Sequence, residues 1–309
     1  MEYRTLGETG LVVSKLSFGA SSLGGVFRAV GEDEGIRAVR TALDLGVNFI
    51  DVSPYYGLTR AETALGKALK GVPRDRYCLA TKVGRYGDRE FDFSARRVVA
   101  SVDESLQRLG VEYVDLIQCH DIEYGSLDQV IEETIPALRR LRETGKIRFV
   151  GVTGLPLKIF REVAGRTAID TILSYCHFSL NDSTLDSILP FLSARRIGVI
   201  NASPLSMGLL SDRGAPSWHP APPDIRSACG LAAAYCSARG VDIAKLAVQY
   251  SCSDPRIATT LVGTASPENI ARNVGWLDEP MDQELFGEVL RILAPVRNVT
   301  WPSGLPENN

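Results

Sequence analysis

The sequence predicts an α/β protein: a single (β/α)8 TIM barrel spanning residues 1–309, with extra helices at its C-terminal end. Three observations carry this. Short β-branched or aromatic runs alternate with amphipathic helical stretches about eight times along the 309 residues. No Gly/Ser-rich linker divides the chain, and its length lies within the roughly 200 to over 400 residues of such barrels. The turn after the first strand, Gly19-Ala20-Ser21-Ser22-Leu23-Gly24, lacks G-x-G-x-x-G spacing and no G-K-S/T follows, which argues against a doubly wound nucleotide fold or a P-loop.

The elements follow in order. Leu16 to Gly19 reads as the first strand, and Glu32, Asp33 and Glu34 open a helix whose Ile36, Val39 and Leu43 share one face before Gly46 closes it. Val47 to Asp51 is a strand, Ala61 to Leu69 a helix, Tyr77 to Lys82 a strand, and Ser94 to Leu109 a helix capped by Gly110. Tyr113 to Cys119 is the next strand, and Ser126-Leu127-Asp128-Gln129 offers a capping box for a helix running to Glu143, closed by Gly145. Then come strands at Arg148 to Val152, Ile169 to Ser174, Ile197 to Asn201 and Thr259 to Val262. A helix is expected over Ser183 to Ala194, further helices between 225 and 253, and two last ones near 267–275 and 282–293.

Composition narrows the function classes. Lys and Arg total 34 against 37 Asp and Glu, for a net charge of −3, and no dense basic run appears. A nucleic-acid partner is not expected. The N-terminus carries an acidic residue at once with no apolar stretch behind it, and no apolar run approaches the ~18–20 residues of a membrane span, so a cytoplasmic protein is expected. The six cysteines (78, 119, 176, 229, 236, 252) form no CxxC pair and suit free thiols in a reducing compartment.

In a barrel, chemistry gathers at the C-terminal ends of the strands. Three consecutive strands end there in Asp51, Lys82 and His120, and the loop after the first carries Tyr55 and Tyr56. Each has an ordinary structural explanation alone: a strand-end Asp caps a helix, a Lys snorkels, a Tyr packs. Neighbouring strands lie only about 5 Å apart, so together they surround one pocket mouth. The set suits acid–base catalysis on an oxygen. A phenol titrates near 10, and an adjacent ammonium favours the phenolate; Lys82 is therefore expected to lower Tyr56, with Asp51 holding the lysine and His120 orienting the substrate oxygen. No metal is expected: Cys119-His120 and Cys176-His177 each offer at most one inward ligand and match no zinc spacing. A Ser203-His120-Asp51 hydrolase lacks the G-x-S-x-G elbow. Cys119 should point outward as an inert buried thiol.

Asp51-Val52-Ser53-Pro54-Tyr55-Tyr56-Gly57, Ala80-Thr81-Lys82 and Gln118-Cys119-His120, in this order, resemble the aldo-keto reductases. So do Gly145 to Val152, Ala202-Ser203-Pro204-Leu205 and Val262 to Asn269, while Tyr3 to Ser14 resembles the N-terminal β-hairpin that plugs the barrel bottom in that family. The resemblance implies a nicotinamide cofactor across the barrel mouth, a catalytic set of Asp51, Tyr56, Lys82 and His120, and cofactor contacts from Gly19, Ala20, Asp51, Thr153, Ser174, Ser203, Leu205, Met207, Gly208, Gly263, Thr264, Ser266, Asn269 and Asn273. It also implies departures. Gly154 stands where the family has an Asn on the carboxamide, Ser174 where a Gln is usual, and Ala202 where an aromatic stacks on the ring. Gly263 and Asn269 replace cations that grip the NADP 2′-phosphate, and Arg272 replaces a Glu that contacts adenosine. Losing those cations removes charge-assisted contacts, so NAD is the expected cofactor.

Within the family, Val52 to Gly57, His120 to Ser126 and Ser174 to Phe178 are most similar to a plant sugar dehydrogenase. This implies oxidation of a small sugar, L-galactose, at C1 to its 1,4-lactone on the route to ascorbate. Tyr56 would be the general base, and Tyr55, His120, Asp121, Glu123 and Tyr175 would contact the sugar. The expected assembly is a monomer or weak dimer. Alternatives are another aldose dehydrogenase, for instance of L-fucose or D-arabinose, a carbonyl reductase, or a cofactor-binding regulatory subunit of a channel.

Overall fold

The computed structural model describes residues 1–26 and 28–309. A hairpin of β1 (Tyr3–Thr5) and antiparallel β2 (Val12–Ser14) precedes the barrel. Eight parallel strands then close on themselves in chain order: β3 (Leu16–Gly19), β4 (Phe49–Asp51), β5 (Cys78–Val83), β6 (Val114–Cys119), β7 (Ile147–Gly154), β8 (Thr171–Tyr175), β9 (Gly198–Ala202) and β10 (Thr259–Gly263), with β10 pairing back onto β3. The helices between and after them are α1 (Glu32–Asp44), α2 (Arg60–Leu69), α3 (Ala95–Leu109), α4 (Leu127–Gln129), α5 (Ile135–Glu143), α6 (Leu157–Arg166), α7 (Leu189–Ala194), α8 (Pro223–Ser237), α9 (Ile243–Ser251), α10 (Pro267–Gly275) and α11 (Gln283–Leu293). Local chemistry sets several boundaries. The Ser94 side chain accepts from the Arg97 N–H to start α3, and Gly110, at φ +67°, ends it in the left-handed conformation that glycine tolerates best.

Two stretches differ from the pattern read in the sequence. The helix expected over 126–143 contains a π turn at Val130–Thr134. Pro136 lacks the N–H that would continue the ladder to residue 132, and the chain shifts register just before it. Ser126 does accept from the Gln129 N–H, but the Gln129 side chain turns to Glu133, so only half of the capping box forms. The helix expected over 183–194 is a 3-10 turn, Thr184–Ser187, followed by the short α7. Pro190 sits in the first turn of α7, where its missing N–H costs nothing, and favours a fresh start there.

Strand alternation sorts the core into layers. Leu16, Phe18, Ile50, Leu79, Ile117, Cys119, Val150, Val152, Ile172, Val199 and Val262 pack outward against the helices. Phe49, Ala80, Leu116, Leu173, Ile200 and Leu261 fill the barrel from within, and Leu6, Leu11 and Val13 of the hairpin seal this inner layer from below. The lower barrel is therefore solid, and the inward positions one step higher on each strand form its rim. A further apolar cluster joins α8, α9 and α11 to the loop after β9 and to Trp301 in the C-terminal tail.

Candidate active site

The strand parity that buries Phe49, Ala80 and Leu116 also decides what faces the rim. Two residues on from these come Asp51, Lys82 and Gln118, and His120 follows at the end of β6. Tyr56 arrives from the loop after β4, which is pressed against the segment after β3. A Cβ on Gly57 (φ +62°) would lie 2.2 Å from the Gly24 carbonyl oxygen, so glycine permits the backbone contact that fixes this loop.

Lys82 is 1% exposed and its ammonium is fully used. It donates to Asp51 Oδ1, to the Val52 carbonyl at 3.0 Å and to the Tyr56 hydroxyl at 3.3 Å. A buried ammonium has three hydrogens, and each has an acceptor here. Burial, the largest single influence, opposes its charge, but the Asp51 carboxylate and the Tyr56 oxygen together outweigh it and raise the Lys82 pKa. The Tyr56 hydroxyl is pushed up by burial while Lys82 pulls it down, and burial prevails. The net depression expected from the sequence is therefore not met by the protein groups alone, because the pocket withholds water as well as supplying charge. His120 is pushed down to about 3 by burial and stays a neutral imidazole. Its ring meets the Tyr56 ring edge-on at 5.6 Å.

The remaining sequence-predicted residues distribute unequally. Tyr55 lies beside His120 at 5.9 Å, beneath the Arg85 guanidinium at 3.8 Å, and donates to Asp88. Asp121 is ion-paired with Arg85, and its N–H donates to Thr153 Oγ1 at 3.0 Å. Glu123 is fully buried. Its Oε1 accepts from the Leu155 N–H at 3.1 Å, the Ser303 hydroxyl at 2.9 Å and the Tyr175 hydroxyl at 3.4 Å, while Oε2 has no partner among the described residues. Burial and the nearby Asp121 charge push Glu123 up to about 8. Tyr175 points inward at the rim, in register with Ala202.

Of the positions expected to hold the cofactor, Gly19 and Gly263 are paired in register at the rim, and Gly19 is paired with Asp51 on its other side. Ala20 is buried among the outward core residues, which leaves only its backbone for a ligand. Ser174 is buried and its Oγ has no partner among the described residues. Ser203, Met207 and Gly208 all take positive φ in the loop after β9, and Leu205 and Met207 pack onto the cluster beneath. Ser266 caps α10 by accepting from the Asn269 N–H, Thr264 accepts from the Ser266 N–H, and Asn273 is buried. A glycine-lined rim and a capped helix start along one arc fit a dinucleotide, whereas Ser174, between inward Leu173 and Tyr175 on β8, falls at an outward position of the strand. Among the described residues no His, Cys, Asp or Glu group could hold a metal ion. Cys119 is buried in the outward layer, and burial pushes its thiol up to about 12.

The sequence reading passed over four contributors. Gln118 Nε2 donates to Asp51 Oδ2 at 2.7 Å, and its level with Lys82 in the β5–β6 register was the available signal, a polar residue at an inward position. Ser53 contacts His120, Arg85 pairs with Asp121, and Ser303 reaches Glu123 from the far end of the chain. Nothing local marks the last two.

Residues 15–294 match the aldo/keto reductase family. Arabidopsis thaliana L-galactose dehydrogenase is 53% identical over 317 residues, covering 100% of this chain and 99% of that protein. The chain belongs to the aldo/keto reductase family. Saccharomyces cerevisiae D-arabinose 1-dehydrogenase is 35% identical over 230 residues, 70% of this chain and 68% of that one. Among solved structures, the holo form of aldo-keto reductase AKR11C1 from Bacillus halodurans superposes with a TM-score of 0.81 at 28% identity, covering 98% of this chain and 99% of that chain. The protein is thus an oxidoreductase of the family, using a nicotinamide cofactor and acting on sugars. No described helix is long and apolar enough to cross a membrane.

Proposed function

We propose that the protein oxidises L-galactose at C1 with NAD, giving L-galactono-1,4-lactone, a product suited to ascorbate synthesis. The observation that carries the chemistry is the fully buried Lys82, whose three hydrogens go to Asp51, the Val52 carbonyl and the Tyr56 hydroxyl. Deprotonated, Tyr56 is a phenolate stabilised by the Lys82 ammonium, and this phenolate is the proton acceptor for the anomeric hydroxyl. A nicotinamide dinucleotide, held by the Gly19 and Gly263 rim and the start of α10 at Ser266, would supply the hydride acceptor and, in its oxidised form, a positive charge that favours the phenolate. His120 orients the anomeric oxygen, so that its proton passes to Tyr56 Oη as C1 loses hydride. Asp51 and Gln118 keep Lys82 charged and in place. Tyr55, Asp121, Glu123 and Tyr175 are the proposed sugar contacts, Glu123 acting through the hydroxyl of Tyr175.

NAD is preferred over NADP on charge. Gly263 and Asn269 bring no cation to the adenosine end, the nearby Arg272 guanidinium is engaged by Asn269 Oδ1 at 2.7 Å, and Glu268 accepts from Ser266 Oγ at 2.6 Å at the start of α10. A carboxylate there repels a 2′-phosphate of about −2 charge. L-galactose is favoured over D-arabinose by the fuller match to the L-galactose enzyme.

The test is the initial rate of NADH formation from L-galactose beside L-fucose, D-galactose and D-arabinose, each repeated with NADP. Selective turnover of L-galactose with NAD is expected. Silence on every sugar would instead favour a carbonyl reductase or a cofactor-binding regulatory subunit.

A further inference from the structure

Ser53 has no place in the chemistry above, yet it is completely buried and lies against the catalytic imidazole. Its Oγ accepts from the Tyr55 N–H at 3.1 Å and lies 2.9 Å from His120 Nδ1. A hydroxyl has one hydrogen to give and lone pairs to receive. Two assignments are open. If Nδ1 carried the proton, Ser53 Oγ would receive two N–H groups and its own hydrogen would have no acceptor among the described residues, which a buried donor avoids. If Ser53 donates to Nδ1, the serine hydrogen and Nδ1 are both satisfied and the ring proton sits on Nε2, the edge left free for the reacting oxygen.

The opposite edge of the ring is open to an acceptor that the substrate would bring. His120 Nε2 has no hydrogen-bond partner among the described residues, and the nearest charged oxygen, Asp121 Oδ2, is 3.7 Å away and already paired with Arg85. We infer that Ser53 is a positioning residue that locks neutral His120 in the Nε2–H tautomer, so that the imidazole can only donate a hydrogen bond to the reacting oxygen. The consequence rests on the reading under Proposed function. An imidazole that only donates cannot take the proton of the anomeric hydroxyl, which leaves Tyr56 as the acceptor and turns the hydroxyl hydrogen toward it. The same donor would polarise the carbonyl oxygen in the reverse reaction.

The experiment is a long-range proton–nitrogen correlation spectrum of the full chain labelled with 15N-histidine. The sequence has three histidines, and His120 is assigned by its disappearance in His120→Gln. A neutral ring protonated at Nε2 is expected in the native protein. In Ser53→Ala the Nδ1–H form should rise to a comparable population, and kcat should fall about tenfold, as for loss of one hydrogen bond, with cofactor affinity unchanged. Ser53→Thr keeps the hydroxyl and should restore the native tautomer. A native ring protonated at Nδ1 overturns the inference. So does Ser53→Ala with an unchanged Nε2–H spectrum, even where kcat falls, because Ser53 would then be supporting the loop and not the tautomer. If Ser53→Ala does not fold, the native spectrum alone decides. The tautomer is read without turnover, so a protein inactive on every sugar would refute the proposed substrate class while leaving this result standing.

Discussion

Glu123→Gln separates the charge of this carboxyl from its shape. Oε1 already accepts three hydrogen bonds, from Leu155, Ser303 and Tyr175, and the unpartnered Oε2 carries the proton that a pKa of about 8 implies at neutral pH. A glutamine keeps the same acceptor and places an NH2 where the O–H stood. Because the folded pKa is raised above the ordinary 4.5, the native protein has this contribution in full below pH 4.5. It loses the contribution as pH rises toward 8, since the unfolded chain releases the proton first. At about 1.4 kcal/mol per pH unit, the two and a half units between 4.5 and 7 cost the native protein about 3 kcal/mol that the variant does not lose. For a chain of this size that corresponds to a relative gain in melting temperature of about 5 °C at pH 7 over pH 4.5. The assay is the melting temperature of both proteins at half-unit steps from pH 4.5 to 8.5. Parallel curves would refute the protonated Glu123.

Tyr56→Phe removes only the hydroxyl that accepts from Lys82, so turnover should drop by about 10²–10⁴ while NADH still binds by fluorescence titration. Since burial holds Tyr56 above the ordinary phenol range, native kcat/KM for oxidation should climb with pH into the alkaline region, and this limb should vanish in the variant. Gly263→Lys with Asn269→Arg should raise kcat/KM for NADP relative to NAD at least tenfold; an unchanged ratio would mean that these positions do not meet the 2′-phosphate. Gly154→Asn should destabilise the fold by about 1–3 kcal/mol in urea titrations, because even its Cβ would lie 2.4 Å from Ile159 Cδ1 and 2.5 Å from Glu123 Oε2. Combining it with Glu123→Ala should recover part of that loss.

The Gly154 position shows how a departure noticed in the sequence acquires a physical cause only in the fold. Read along the chain, it is a missing amide. In the structure its empty side is filled by Glu123, a carboxyl whose burial is completed by Ser303 from the C-terminal tail. Ser183 to Ala194 makes the complementary point about local structure. Its apolar spacing suited one helix, but the proline at 190 and the need to start a new element there divided it.

What the sequence determined by itself rests on periodicity and on chemistry that belongs to one residue. Strand alternation placed Asp51, Lys82 and His120 at successive inward strand ends, and caps such as Ser94 and Gly110 fixed helix limits, because these depend on neighbours a few residues away. The family motifs were legible for the same reason, since each lies within one strand and its loop. Only the tertiary structure decided what depends on residues far apart in the chain. Ser53 and His120 are separated by 67 positions and Glu123 and Ser303 by 180, and their hydrogen bonds set a tautomer and a proton that no local pattern encodes. The same holds for Tyr56, where burial outweighs the adjacent ammonium. Desolvation is a property of everything packed around a group, so its sign and size appear only when the chain has closed over it.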